Sequence, residues 1–103
     1  MVKNNIETEQ GLFYWTPNFA AELPLHLQLA KIITRKLGSN GLGPGEYLPD
    51  IHIISEKSKV SKPIIRQCYD VLSSQNIVAK INSIESWVIN HGPYKFNVPE
   101  DNL

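Results

Sequence analysis

The chain has 103 residues, of which 42% are hydrophobic and 19% are charged, a composition that predicts one folded domain and excludes a disordered protein. Ten basic and ten acidic residues cancel, which excludes a strong attraction of the whole chain to nucleic acid. One cysteine allows no intrachain disulfide, and no apolar run approaches the roughly 18 residues that a membrane span needs. We therefore expect a cytoplasmic protein.

The charge is nevertheless unevenly distributed. Residues 24–66 carry seven basic and three acidic residues, a net charge of +4, whereas the segments on either side are each −2. Any surface that attracts an anion is therefore expected in the middle of the chain.

Residues 1–23 form an N-terminal extension that ends in an aromatic arm. The aromatic side chains of this arm are Phe13, Tyr14, Trp15 and Phe19. Such an apolar segment has two interpretations: it covers the core of its own domain, or it contacts a second copy of the chain. We predict that the arm is ordered and lies at or near the interface of a homodimer.

The first two helices are predicted from spacing and from their end residues. Apolar residues recur at every fourth position from Leu25 to Leu37, and Pro24 suits the start of a helix over residues 25–37. The glycine-rich segment 38–46 ends that helix, and a short extended piece follows at residues 47–48. Asp50 is a suitable N-cap for a second helix over residues 50–58.

The third helix, over residues 61–75, is predicted to begin at Ser61. Its apolar stripe comprises Ile65, Cys68 or Tyr69, and Leu72. Residues 77–90 alternate like the two strands of a hairpin, and residues 91–103 form a polar tail. The expected fold is mainly α with a small β-hairpin: a winged helix-turn-helix domain over residues 24–90, with a three-helix core and a two-stranded wing.

A set of short motifs in this region lies in a recognisable order. In chain order they are Pro24-Leu25, Gly41 with Leu42, Pro44-Gly45, Leu48-Pro49, and Val60-Ser61 with Ile65-Arg66. Residues 24–89 thereby resemble, without a gap, the DNA-binding domain of the GntR-family bacterial transcription regulators. The resemblance implies a regulator that binds double-stranded DNA, acting as a repressor and as a homodimer. Because few residues follow Ile89, we expect the usual C-terminal effector domain to be missing.

The resemblance also implies which residues contact DNA. They are Lys59, Ser61, Lys62, Ile64, Arg66 and Lys80. Lys62 suits a backbone phosphate, and Arg66 suits the edge of a guanine. The alternative is that this is a solvated helix face on which Arg66 pairs with Asp70 one turn further on.

Several positions depart from the family pattern. His52 stands early in the second helix where family members usually carry an arginine that binds phosphate. Lys59 replaces the glycine of the tight turn, Pro63 replaces a threonine, and residues 82–85 lack the glycines of the wing. These departures favour a second interpretation, a winged-helix interaction module that has lost DNA binding and acts on another regulator protein.

No pattern in the sequence indicates catalysis, a cofactor or a metal. His26, His52 and His91 lack the spacing of metal ligands, and Cys68 falls on the apolar stripe of the third helix. We therefore expect a protein that is not an enzyme and that carries neither cofactor nor metal.

Overall fold

The computed structural model describes residues 15–37, 43–81 and 86–99. Within these residues the chain forms three α-helices followed by a β-hairpin. The elements are α1 (Leu25–Lys36), α2 (Ile51–Ser58), α3 (Lys62–Ser74), β1 (Val78–Ile81) and β2 (Ser86–Ile89). The predicted order and the mainly α fold class are confirmed. The predictions that concern Phe13, Tyr14 and residues 82–85 lie outside the described residues.

The three helices pack around one apolar core. Residues of α1, α2, α3 and the hairpin all contribute to it, and the most deeply buried include Leu29, Ile33, Ile54, Ile65, Cys68, Tyr69 and Leu72. The predicted apolar stripe of α3 is confirmed, and both Cys68 and Tyr69 belong to it. One face of each helix is thus removed from water, which is the main stabilising contribution in a domain of this size.

The hairpin is extended by a short third segment. β1 and β2 pair antiparallel, with Val78 opposite Ile89 and Lys80 opposite Trp87. On the far side of β2, Tyr47 forms a bridge with Val88, and Leu48 donates to the carbonyl of Trp87 at 2.9 Å. The segment before α2 therefore joins the wing to the helical core.

A tight turn brings that segment to the sheet. Pro44 lies within it, and Gly45 has a φ of +89°, which is the left-handed region that glycine tolerates best. The turn closes with a bond from the Glu46 N–H to the carbonyl of Gly43 at 3.2 Å. The glycine and proline of this segment thus form the turn that places Tyr47 and Leu48 beside β2.

Two glutamines hold the terminal segments against the helices. The side-chain amide of Gln28 on α1 bonds to both the N–H and the carbonyl of Asn18, each at 3.0 Å. The amide of Gln75, just after α3, accepts from the Asn97 N–H at 2.9 Å and donates to its carbonyl at 2.6 Å. The segment after β2 is also packed on the core through Tyr94 and Phe96.

Candidate nucleic-acid interface

The turn between α2 and α3 is built around one left-handed residue. Lys59 ends α2 with φ 65° and ψ 22°, a conformation that costs a residue with a side chain roughly 1–2 kcal/mol. Two serines of α2 stabilise the turn: Ser55 Oγ donates to the Val60 carbonyl at 2.6 Å, and Ser58 Oγ accepts from the Val60 N–H at 3.3 Å. The turn is thereby held tight although it lacks glycine.

Two of the predicted DNA-contact residues, Ser61 and Lys62, lie at the start of α3. Ser61 occupies the N-cap position but its side chain makes no capping hydrogen bond. Ser61 and Lys62 are both exposed, and Pro63 supplies no N–H. Binding of an anion at this end of α3 would therefore depend on side chains more than on backbone donors.

Helix α3 separates its polar and apolar residues onto opposite faces. Ile65, Cys68 and Leu72 are fully buried, and burial raises the pKa of the Cys68 thiol well above its ordinary value. Lys62 and Arg66 are one turn apart and so lie on the same side of the helix. The core contacts therefore fix the orientation in which these two cations are presented.

Two clefts flank the cations. The first, which we term the wing cleft, has a volume of about 240 Å³ and lies between α2, α3 and β2. It is lined by Leu48, Pro49, Asp50, Ile51, His52, Arg66, Ser86 and Trp87. The second, the helix cleft, has a volume of about 260 Å³ and is lined by His52, Ser55, Glu56 and Lys62. Sequence reasoning missed Ser86 as a residue of this surface and named His52 only as a departure from the family pattern.

Lys80 lies on the wing, apart from α3 in the chain but linked to it through packing. Its Nζ is 5.3 Å from the centre of the Trp87 ring, within the range of a cation–π contact. Trp87 in turn lines the wing cleft together with Arg66. Lys80 therefore lies over an indole that lines the same cleft as Arg66.

The remaining predicted DNA-contact residues differ in their exposure. Lys59 is exposed on the turn, whereas Ile64 is half-buried and packs against the core. Arg66 is half-buried at the border of the wing cleft. Lys59, Ser61, Lys62 and Arg66 thus occupy one continuous stretch of turn and helix, and Ile64 is turned partly toward the core.

The described part of the chain is more basic than the whole. Residues 15–37, 43–81 and 86–99 contain nine basic and five acidic residues, a net charge of +4, against zero for the full sequence. Five of the ten acidic residues and one of the ten basic residues lie outside the described part of the chain.

The arm residues that the structure describes have different environments. Trp15 is only 6% exposed and belongs to the core of its own chain, as the first interpretation of the arm requires. Phe19 is 71% exposed, in a turn closed by the bond from the Ala21 N–H to the Asn18 carbonyl at 3.2 Å. Of these two side chains, only Phe19 is available to a partner.

Two features are absent from the described residues. In that part of the chain, no group of three or more His, Cys, Asp or Glu side chains is arranged to hold a metal ion. None of its helices combines the length and the apolar character needed to cross a membrane.

The three-helix core, the turn at Lys59 and the hairpin define a winged helix-turn-helix fold. A solved structure with the same fold is YtrA from Sulfolobus acidocaldarius, a GntR-family transcription factor. It superimposes with a TM-score of 0.64 at 17% sequence identity, over 79% of this chain and 68% of that chain. No family model matches the sequence, and no curated protein matches it.

Proposed function

We propose that this chain is a sequence-specific, DNA-binding transcription regulator of the GntR type. The observation that carries the proposal is the placement of Lys62 and Arg66 on the first turns of α3, where Lys62 borders the helix cleft and Arg66 borders the wing cleft. In a helix-turn-helix the corresponding turns of the second helix enter the major groove. The fold shared with YtrA supports this reading of α3.

We assign each side chain a base contact or a phosphate contact according to its chemistry. The guanidinium of Arg66 can donate two parallel hydrogen bonds to O6 and N7 of a guanine, which distinguishes that base from the others. The ammonium of Lys62 and the hydroxyl of Ser61 suit phosphate oxygens, which position the helix without reading sequence. Lys59 and Lys80 extend the phosphate contacts to the turn and the wing.

We further propose that the protein acts in the cytoplasm as a homodimer that represses transcription by occupying a two-fold-symmetric site. A single small module buries too little surface for useful specificity, and two copies double the number of bases that are read. The exposed Phe19 supports a role for the arm in pairing the copies, because solvent-exposed aromatic side chains are favourable anchors at interfaces.

The test is selection of bound genomic fragments by the purified protein at two salt concentrations, followed by titration of variants on the selected fragment. Arg66→Ala should weaken binding by about 1–3 kcal/mol and relax the preference at one base position. Lys62→Ala should weaken binding to all sequences alike and lower the salt slope by about one unit.

Lys95→Ala is the matched control for these variants. This variant removes one positive charge from an exposed site on the segment after β2. The DNA affinity of the variant should therefore stay close to that of the wild type. An absence of wild-type binding even at low salt would contradict the proposal.

A second candidate function is supported by a separate observation. Ile53 on α2 is 40% exposed, and Tyr47 is 54% exposed beside the hairpin. Exposed apolar side chains on a helix-turn-helix suit contact with a protein, which would make the chain a module that modulates another regulator. This function predicts no DNA binding at low salt, and a loss of partner binding in Ile53→Ser.

A further inference from the structure

Gln67 lies on the face of α3 that points most directly away from the core. Successive residues of a helix are about 100° apart, which places Pro63 and Gln67 about 150–170° round the helix from the middle of its apolar stripe. Both residues are exposed. Lys62 and Arg66 lie nearer the sides of α3, where they border the two clefts. Gln67 therefore faces whatever molecule this helix is laid against.

The side-chain amide of Gln67 differs in its bonding from those of the other glutamines in the described part of the chain. The amides of Gln28 and Gln75 bond to the backbone of the terminal segments. The Gln67 amide makes no hydrogen bond to another described residue. Its donor and its acceptor are thus both presented to the outside of the molecule.

The exposed residue one turn before Gln67 supplies no polar contact of its own. Pro63 has neither a polar side-chain group nor a backbone N–H. Long side chains on a helix lean toward its N-terminus, so the side chain of Gln67 extends over the turn that contains Pro63. On the outermost face of the first turns of α3, the hydrogen-bonding group is therefore the Gln67 amide.

We propose that Gln67 is a further base-reading residue and that it selects an adenine. The proposal rests on the DNA-binding function proposed above. In the major groove adenine presents an acceptor at N7 beside a donor at N6, a pair that no other base presents. The Gln67 amide matches both groups, because Nε2 donates to N7 while Oε1 accepts from N6. Gln67 and Arg66 thus read different bases from adjacent positions of one helix.

The experiment measures the base preference of the intact protein and its variants, by competition between duplexes that differ from the selected site at one base pair. The wild type should prefer adenine at one position by about 5- to 150-fold, and Gln67→Ala should lose that preference. The position should differ from the one affected by Arg66→Ala. Gln67→Arg should prefer guanine there, because a guanidinium pairs with O6 and N7.

Ser74→Ala is the matched control, because Ser74 lies on the same face of α3 about two turns beyond Gln67. Its hydroxyl donates to the carbonyl of Val71 at 2.7 Å, and the variant should keep the wild-type preference at every position. Circular dichroism confirms that each variant is folded. A Gln67→Ala variant with the same base preferences as the wild type would overturn this inference and leave the proposed function intact. An absence of wild-type DNA binding at low salt would overturn both.

Discussion

Tyr69 on α3 donates a hydrogen bond of 2.7 Å from its hydroxyl to the carbonyl of Pro49, the residue before the cap of α2. The ring of the same tyrosine meets Trp87 of β2 edge-on, with 5.1 Å between ring centres and 71° between planes. Tyr69 belongs to α3, the helix that is proposed to read DNA. Its side chain thus contacts both the segment before α2 and the wing. Tyr69 therefore contributes to holding these three elements together.

Replacing Tyr69 tests this connection. Tyr69→Phe keeps the ring contact with Trp87 but leaves the Pro49 carbonyl without its donor, so the free energy of unfolding should fall by about 0.5–1.5 kcal/mol. Urea denaturation measures the change. Tyr47→Phe is the control, because its side chain is exposed and its effect should stay within about 0.5 kcal/mol. Equal effects of the two variants would show that the Tyr69 bond contributes no stability.

The left-handed conformation of Lys59 leads to a second prediction. Lys59→Gly relieves the steric cost of a side chain at φ 65°, partly offset by the entropy of glycine, and should raise the free energy of unfolding by up to about 1 kcal/mol. Lys59→Ala retains a Cβ and should be no more stable than the wild type. If Lys59 contacts a phosphate, both variants should lower the salt slope of DNA binding by about one unit. A stability gain in Lys59→Ala equal to that in Lys59→Gly would contradict the conformational argument.

The two described aromatic residues of the arm should respond differently to truncation. Trp15→Ala removes a buried side chain and should lower the free energy of unfolding by about 3–5 kcal/mol. Phe19→Ala should leave stability within about 0.5 kcal/mol and weaken dimerisation. Denaturation and sedimentation at several concentrations separate the two effects. A Phe19→Ala variant as dimeric as the wild type would remove the arm from the proposed interface.

Acid should destabilise the domain through His26. Burial on α1 lowers the pKa of His26 below its ordinary value of 6.5, so the unfolded chain binds this proton at a higher pH than the folded chain. The contribution of the neutral His26 imidazole to the free energy of unfolding is fully present above pH 6.5. It is lost as the pH falls from 6.5 toward the lower pKa of the folded state. The free energy of unfolding at pH 7.5 and 5.5 should differ less in His26→Gln than in the wild type, whereas His91→Gln should match the wild type. Equal pH dependence in all three would exclude His26 as the cause.

The helices and strands of this protein could be predicted because their signals are local. Apolar residues at every fourth position place α1, the carboxylate of Asp50 caps α2 by bonding to an N–H two residues later, and alternation places the hairpin. In each case the interacting groups lie within a few positions of one another. The same locality made Lys62 and Arg66 recognisable as one face of a helix.

The sequence by itself thus determined the order of elements, the apolar stripe of α3 and the cations opposite it. Only the tertiary structure decided that Trp15 lies in the core, that Gln75 holds Asn97 although 22 positions separate them, and that His52 lines the same cleft as Arg66. Spacing along a chain records which residues share a face of one element. It carries no record of which faces meet, because that depends on how all the elements pack together to remove their apolar surface from water.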